Sequence, residues 1–157
     1  MPKVTISGFK EYEQLLDKMS TETVRVLGEG IYAGANILAN QIKHGIQGIR
    51  TEGPSKWEEE RREKQKQALI HSFGIAPMQE SNGFLNVKLG FEGYNDIKTP
   101  TYPGGQPNAM VARMYNSGTS VLSKQGFFDK SVRAAQGQAK KTAVSVIEEE
   151  IDKILKG

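Results

Sequence analysis

The sequence predicts an α+β fold: a small antiparallel sheet packed with an N-terminal helical region and a long C-terminal helix. Three observations carry this prediction. Apolar residues recur every three or four positions near both ends of the chain, which is the helical period. Between them Leu85, Val87, Leu89 and Phe91 stand at period two, so they share one face of a strand. The connections around that strand are too short for ordered crossover helices, so the pairing is antiparallel. A length of 157 residues fits one domain over 1–157 with one core.

Phe9, Tyr12, Leu15, Leu16 and Met19 open the chain at helical spacing after Val4 and Ile6. Thr21 is the expected cap of a second helix, whose buried stripe is Val24, Leu27, Ile31, Ala35, Leu38 and Ile42. Gly30, Gly34 and Ala39 lie beside that stripe. A glycine inside a helix costs about 1 kcal/mol relative to alanine. Either close approach of another backbone explains these small residues, or the core tolerates a weak helix.

Gly45, Gly48 and Gly53-Pro54 break the pattern. A charged segment at 50–67 follows, and its part from Lys56 to Gln67 carries five basic and four acidic residues. Glu58–Arg62 and Glu60–Lys64 stand four apart in the favourable order. The segment reads as a solvated loop or helix, or as an insertion that orders on a partner. Trp57 is its one conspicuous apolar residue.

Gly74 to Met78 is the first expected strand, held to an edge or an irregular position by Pro77. Asn82-Gly83 supplies a turn with positive φ, so a hairpin is expected from about 74 to 92. A Pro/Gly-rich loop occupies 93–108 and is long enough to call for a special role. Ala109, Val111, Ala112, Met114 and Tyr115 are read as another short strand, and Asn116 to Ser120 as a turn. From about 127 to 155 the apolar residues Phe128, Val132, Ala135, Ala139, Ala143, Val146, Ile147, Ile151, Ile154 and Leu155 define the last helix. At 1.5 Å per residue it is about 43 Å long, so one end is expected to project or lie against another chain. An intramolecular seam accounts for its alanine-rich middle equally well.

Composition narrows the chemistry. There is no cysteine, which excludes disulfides, zinc thiolates and cysteine nucleophiles within this sequence. No apolar run approaches the roughly 20 residues that span a bilayer, and Met1-Pro2-Lys3-Val4 opens no signal-peptide h-region. His44 and His71 belong to no metal-ligand pattern, and Ser117 and Ser120 have no recognisable base. The Gly28-Glu29-Gly30 and Gly45-Ile46-Gln47-Gly48 pieces lack the strand–loop–helix context of a phosphate cradle. No catalytic, metal or cofactor site is therefore expected, no small-molecule substrate, and no enzyme activity. The formal charge of +3 is mild. Lys124, Lys130, Arg133, Lys140 and Lys141 stand against Asp129, a local excess of +4 suited to phosphate backbones or to an acidic partner surface.

Four pieces give the chain a resemblance to a known family. They are Ile31 to Lys43, Ala68 to Phe73, Met114-Tyr115-Asn116-Ser117-Gly118-Thr119-Ser120, and Gly126-Phe127-Phe128. In their order they resemble the HK97 gp10-like family of tailed-bacteriophage neck, head-tail joining and tail-completion proteins. The sequence departs from the family pattern where Ser117 replaces a phenylalanine, where Gly126 replaces a proline, and where the charged segment occupies the place of a proline-x-x-threonine-glycine motif. The resemblance implies a structural virion protein, assembled in the host cytoplasm, that forms a ring of copies of itself, of the hexameric kind. Its implied partners are the head connector or stopper on one side and the tail tube or tail terminator on the other. DNA would pass through the channel without sequence readout. The candidate interface residues are Trp57, Tyr102, Tyr115, Gly118, Thr119, Phe127 and Phe128. The candidate channel-facing or partner-facing cations are Lys124, Lys130, Arg133, Lys140 and Lys141. The alternatives are a small phage nucleic-acid-binding protein and another tail morphogenesis subunit.

Overall fold

The computed structural model describes residues 22–156. The opening helical pattern from Phe9 to Met19 and the Thr21 cap lie outside the described residues. The described elements are, in order, α1 (Thr23–Gln47), α2 (Lys56–Ser72), β1 (Phe73–Ile75), β2 (Gln79–Ser81), β3 (Phe84–Asn86), β4 (Leu89–Phe91), α3 (Asn108–Ser117) and α4 (Phe127–Lys156). The fold is α+β, with a small antiparallel sheet region packed against long helices near both ends of the chain.

Helices α1 and α4 form one antiparallel pair along nearly their whole length. Gly45 meets Ser131 and Phe127 at one end, Gly30 meets Ala143 and Ile147 further along, and Arg25 reaches Glu150 at the other. Of the two expectations for α4, the intramolecular seam is the one observed: α1 of the same chain packs along it. The small residues make this possible. A Cβ at Gly30 would sit 2.9 Å from the carbonyl oxygen of Ala143, closer than real Cβ atoms come. Ala35, Ala39, Ala135, Ala139 and Ala143 are all buried and continue the close seam.

The stripe of α1 is confirmed from Leu27 to Ile42, and corrected at its start. Val24 is 61% exposed, and Val26 is fully buried in its place. Val26 stands four residues before Gly30, on the row that faces α4, and that row decides burial in the first turn.

The hairpin expected over 74–92 is present but interrupted. β1 pairs with β4 through Phe73↔Phe91 and Ile75↔Leu89, and β2 pairs with β3 through Gln79↔Asn86 and Ser81↔Phe84. Three residues, Ala76 to Met78, lie opposite two, Val87 and Lys88, so the register shifts by one at Pro77. A bulge there costs no ladder bond that proline could have donated. Asn82 and Gly83 both have positive φ, 53° and 79°, and close the tight turn. Phe73 packs tilted on Phe91, and Phe91, Phe127 and Phe128 follow edge to face, joining the sheet to the start of α4.

The segment from Ala109 to Tyr115 is a helix, not the expected strand. Asn108, Val111, Ala112, Tyr115 and Asn116 are its buried residues, spaced at 3, 1, 3 and 1. Such spacing loads one helical face and would split a strand between two faces. The helix ends at Gly118, whose φ of 81° gives the terminus a conformation other residues rarely adopt. The charged segment resolves as helix α2. Its N-cap is Ser55, whose hydroxyl accepts from the Glu58 N–H at 3.2 Å.

Candidate interaction surfaces

Two polar networks fix the loops that flank the helices. The first centres on Tyr115, which is fully buried and donates its hydroxyl to Gln65 Oε1 at 2.7 Å. Gln65 Nε2 donates to Gln106 Oε1 at 2.9 Å, and Asn95 Nδ2 donates to the same oxygen at 3.1 Å. Asn95 Oδ1 accepts from the N–H groups of Ile97 and Gln106. The Pro/Gly-rich loop is thereby tied to α2 and α3, and the Tyr94↔Pro107 bridge closes its base. Burial pushes the Tyr115 phenol up to about 12.

The second network centres on Asn116. Its Oδ1 accepts from the N–H groups of Phe128 and Asp129, at 3.0 and 3.2 Å, and its Nδ2 donates to Asp129 Oδ2 at 3.1 Å. Asn116 therefore caps the first turn of α4 from the end of α3, satisfying donors that a helix start leaves open. Gln125 adds a two-point clasp, accepting from the Arg50 N–H at 2.8 Å and donating to the Arg50 carbonyl at 2.9 Å.

Outside these networks an open groove of about 1210 Å³ runs between α2 and the start of the 93–97 loop. On α2 the middle of its wall is the stripe Trp57, Arg61, Lys64, Ala68 and His71, at steps of 4, 3, 4 and 3, with Glu60, Glu63, Gln67 and Ser72 beside it. The opposite rim carries Tyr94 and Asp96. Trp57 and Tyr94 are 65% and 69% exposed, large aromatic surfaces left to solvent. The Arg61 guanidinium lies 5.6 Å from the centre of the Trp57 ring, a cation–π distance. Four carboxylates, those of Glu60, Glu63, Glu92 and Asp96, face two cations, Arg61 and Lys64, so the groove is net acidic. None of those four carboxylates has an ion-pair partner among the described residues. Asn108 lines the groove as well. It is 4% exposed, its Nδ2 donates to the Glu92 carbonyl at 3.0 Å, and its Oδ1 accepts no hydrogen bond.

The candidate interface residues separate into two groups. Tyr115, Phe127 and Phe128 are buried in the protomer and have their partners there. Their aromatic character reflects the core, so they are not available as surface anchors. Gly118 is half-buried and shapes the turn before Leu122 to Lys124, where a Cβ would meet the Lys124 backbone nitrogen at 2.8 Å. Thr119 is exposed, and its hydroxyl accepts from the Val121 and Leu122 N–H groups. Tyr102 is half-buried in the Pro/Gly-rich loop, and Trp57 alone lies on the groove. Lys124, Lys130, Arg133, Lys140 and Lys141 are all exposed. Sequence reasoning missed Tyr94, Asp96 and Asn108, which sit in or beside a loop without periodicity. The step pattern of the α2 stripe was the signal that could have located the groove.

No group of three or more histidine, aspartate or glutamate side chains among the described residues is placed to hold a metal ion. No helix among them is long and apolar enough to cross a membrane. Comparison of the chain with family models, curated proteins and solved structures returns no match.

Proposed function

We propose that this chain is a structural virion protein of the phage neck or tail terminus, forming a ring that joins the head connector to the tail around the DNA channel. The observation that carries the reading is the segment from Met114 to Ser120, the end of α3 and the turn after it, which resembles the family's motif and here locks α3 to the start of α4 through Asn116. The order of elements supports it: a small-residue helix, a hairpin, a long loop and a long terminal helix. In this reading the α1–α4 pair and the sheet form the rigid ring body. The Trp57–Tyr94 groove and the exposed cations provide the contact surfaces. Ring closure requires heterologous contacts, in which two different patches of each subunit meet. The mechanism is mechanical: the ring offers matching surfaces above and below, so a filled head can be joined to a separately built tail. Particles produced without this chain test the reading. Filled heads and unattached tails should accumulate, and purified protein should join them. Normal yields of complete particles would overturn it.

The exposure of Lys130, Arg133, Lys140 and Lys141 favours a second reading, a nucleic-acid-binding protein. Titration with duplex DNA at two salt concentrations separates the readings, because phosphate contacts weaken steeply with salt.

A further inference from the structure

Gly137 lies in the interior of α4, yet among the described residues no atom outside its own stretch of helix comes within 4 Å of where its Cβ would stand. Elsewhere on the helix pair a glycine is explained by a close neighbour, as at Gly30 and Gly45. The described residues give no such reason for Gly137, although an interior glycine weakens a helix. At 100° per residue Lys130, Arg133, Lys140 and Lys141 fall within an arc of about 100°, and Gly137 stands near its centre. The exposed cationic face of α4 thus has a notch at its middle. None of its four cations has an ion-pair partner among the described residues.

The groove on α2 has the complementary properties. It is net acidic, with Trp57 and Tyr94 exposed along it. Beside it the buried Asn108 Oδ1 is an acceptor without a donor among the described residues. The lengths agree. Trp57 to His71 spans about 21 Å of helix, and Lys130 to Lys141 about 17 Å. The two patches share no residue, so one copy can present both at once.

We infer that the α2 groove of one copy receives the α4 cationic face of a second copy, with an aromatic ring of the groove seated over Gly137. This rests on the reading of the chain as an assembling subunit and names the surfaces through which it would assemble. The contact is heterologous, because groove and face are different patches. Electrostatic complementarity sets its register, and it weakens as salt rises.

Sedimentation velocity of the full chain at low and high salt tests this. The variants are a reversed groove (Glu60→Lys with Glu92→Lys), a neutralised face (Arg133→Glu with Lys141→Glu), and Gly137→Leu. Circular dichroism checks that each is folded. Expected is concentration-dependent association of the unmodified chain at low salt. Each variant should raise the dissociation constant at least about tenfold. The decisive arm is a mixture of the groove and face variants, in which each keeps one intact patch and the two altered patches do not attract each other. It should give a one-to-one dimer and nothing larger. Association of the unmodified chain that the variants leave unchanged overturns the inference. A chain monomeric at every concentration and salt overturns it as well. So does a face variant that loses duplex DNA binding while self-association persists, which assigns the face to nucleic acid. If the variants behave as natural chain but particles still require the protein at the neck, only this pairing fails. If particles assemble without the protein, the neck reading fails and the sedimentation result stands by itself.

Discussion

A Cβ placed on Gly30 would lie 2.5 Å from Ile147 Cγ1, so α1 and α4 meet there at a distance only glycine permits. Gly30→Ala is therefore expected to destabilise the protein by about 1–3 kcal/mol through overpacking, against the gain in helix propensity. Gly137→Ala is expected to have the opposite sign, stabilising by about 0.5–1 kcal/mol, because space is open around it. Urea denaturation of the two variants measures both, and equal signs would contradict this account of the seam.

Asn116 and α4 make a second test. Asn116→Ala removes the acceptor for two N–H groups at the start of α4 and the donor to Asp129. A loss of about 1–2 kcal/mol is expected, the scale of a lost N-cap. Hydrogen exchange should show the change first in the amides of Phe128 and Asp129. Unchanged protection at those amides would remove Asn116 as the cap.

Tyr115 gives the alkaline behaviour. Its folded pKa is raised above the ordinary tyrosine value by burial, so the stability it contributes is fully present below about pH 10. It is lost as pH rises from there toward about 12, because the unfolded phenol ionises while the folded one keeps its proton. Tyr115→Phe should flatten this part of the stability profile. At neutral pH the same variant leaves Gln65 Oε1 buried without its donor and should cost about 1–3 kcal/mol. Ultraviolet titration of the phenolates in the folded chain checks the first point, and denaturation at pH 7 the second.

Glu150 gives the acid behaviour. Hydrogen bonds from Lys153 and then Arg25 lower its pKa. The linked stabilisation is present above the ordinary carboxylate range and is lost as pH falls through the lowered folded value. Glu150 is half-buried but its partners Arg25 and Lys153 are exposed, so the effect is small and screened by salt. Glu150→Gln should reduce the slope of stability against pH in acid, measured by thermal melts at low salt, and leave the neutral-to-alkaline profile unchanged.

The elements with strong periodicity were legible in the sequence, and those fixed by polar contacts were not. Leu27, Ile31, Ala35, Leu38 and Ile42 announce α1 because one apolar stripe faces one core. Asn82-Gly83 announces the hairpin because the turn needs positive φ at both positions. Helix α3 was read as a strand because its apolar residues are not confined to one helical row, and Asn108 and Asn116 complete its buried face with polar groups. Periodicity of apolar residues cannot register that. The seam was visible as small residues, but the sequence left open whether α4 packs on its own chain or on another. The groove escaped because Tyr94 and Asp96 reach it through a loop held by Asn95 and Gln106, a side-chain arrangement without any repeat.

The central claim is that this chain is a structural component of the particle at the junction between head and tail. Gold-labelled antibody against the chain, applied to purified particles and viewed by electron microscopy, tests it most directly. The account expects label concentrated where the tail meets the head or at the end of the tail. Particles free of the chain by both labelling and protein gel would contradict it.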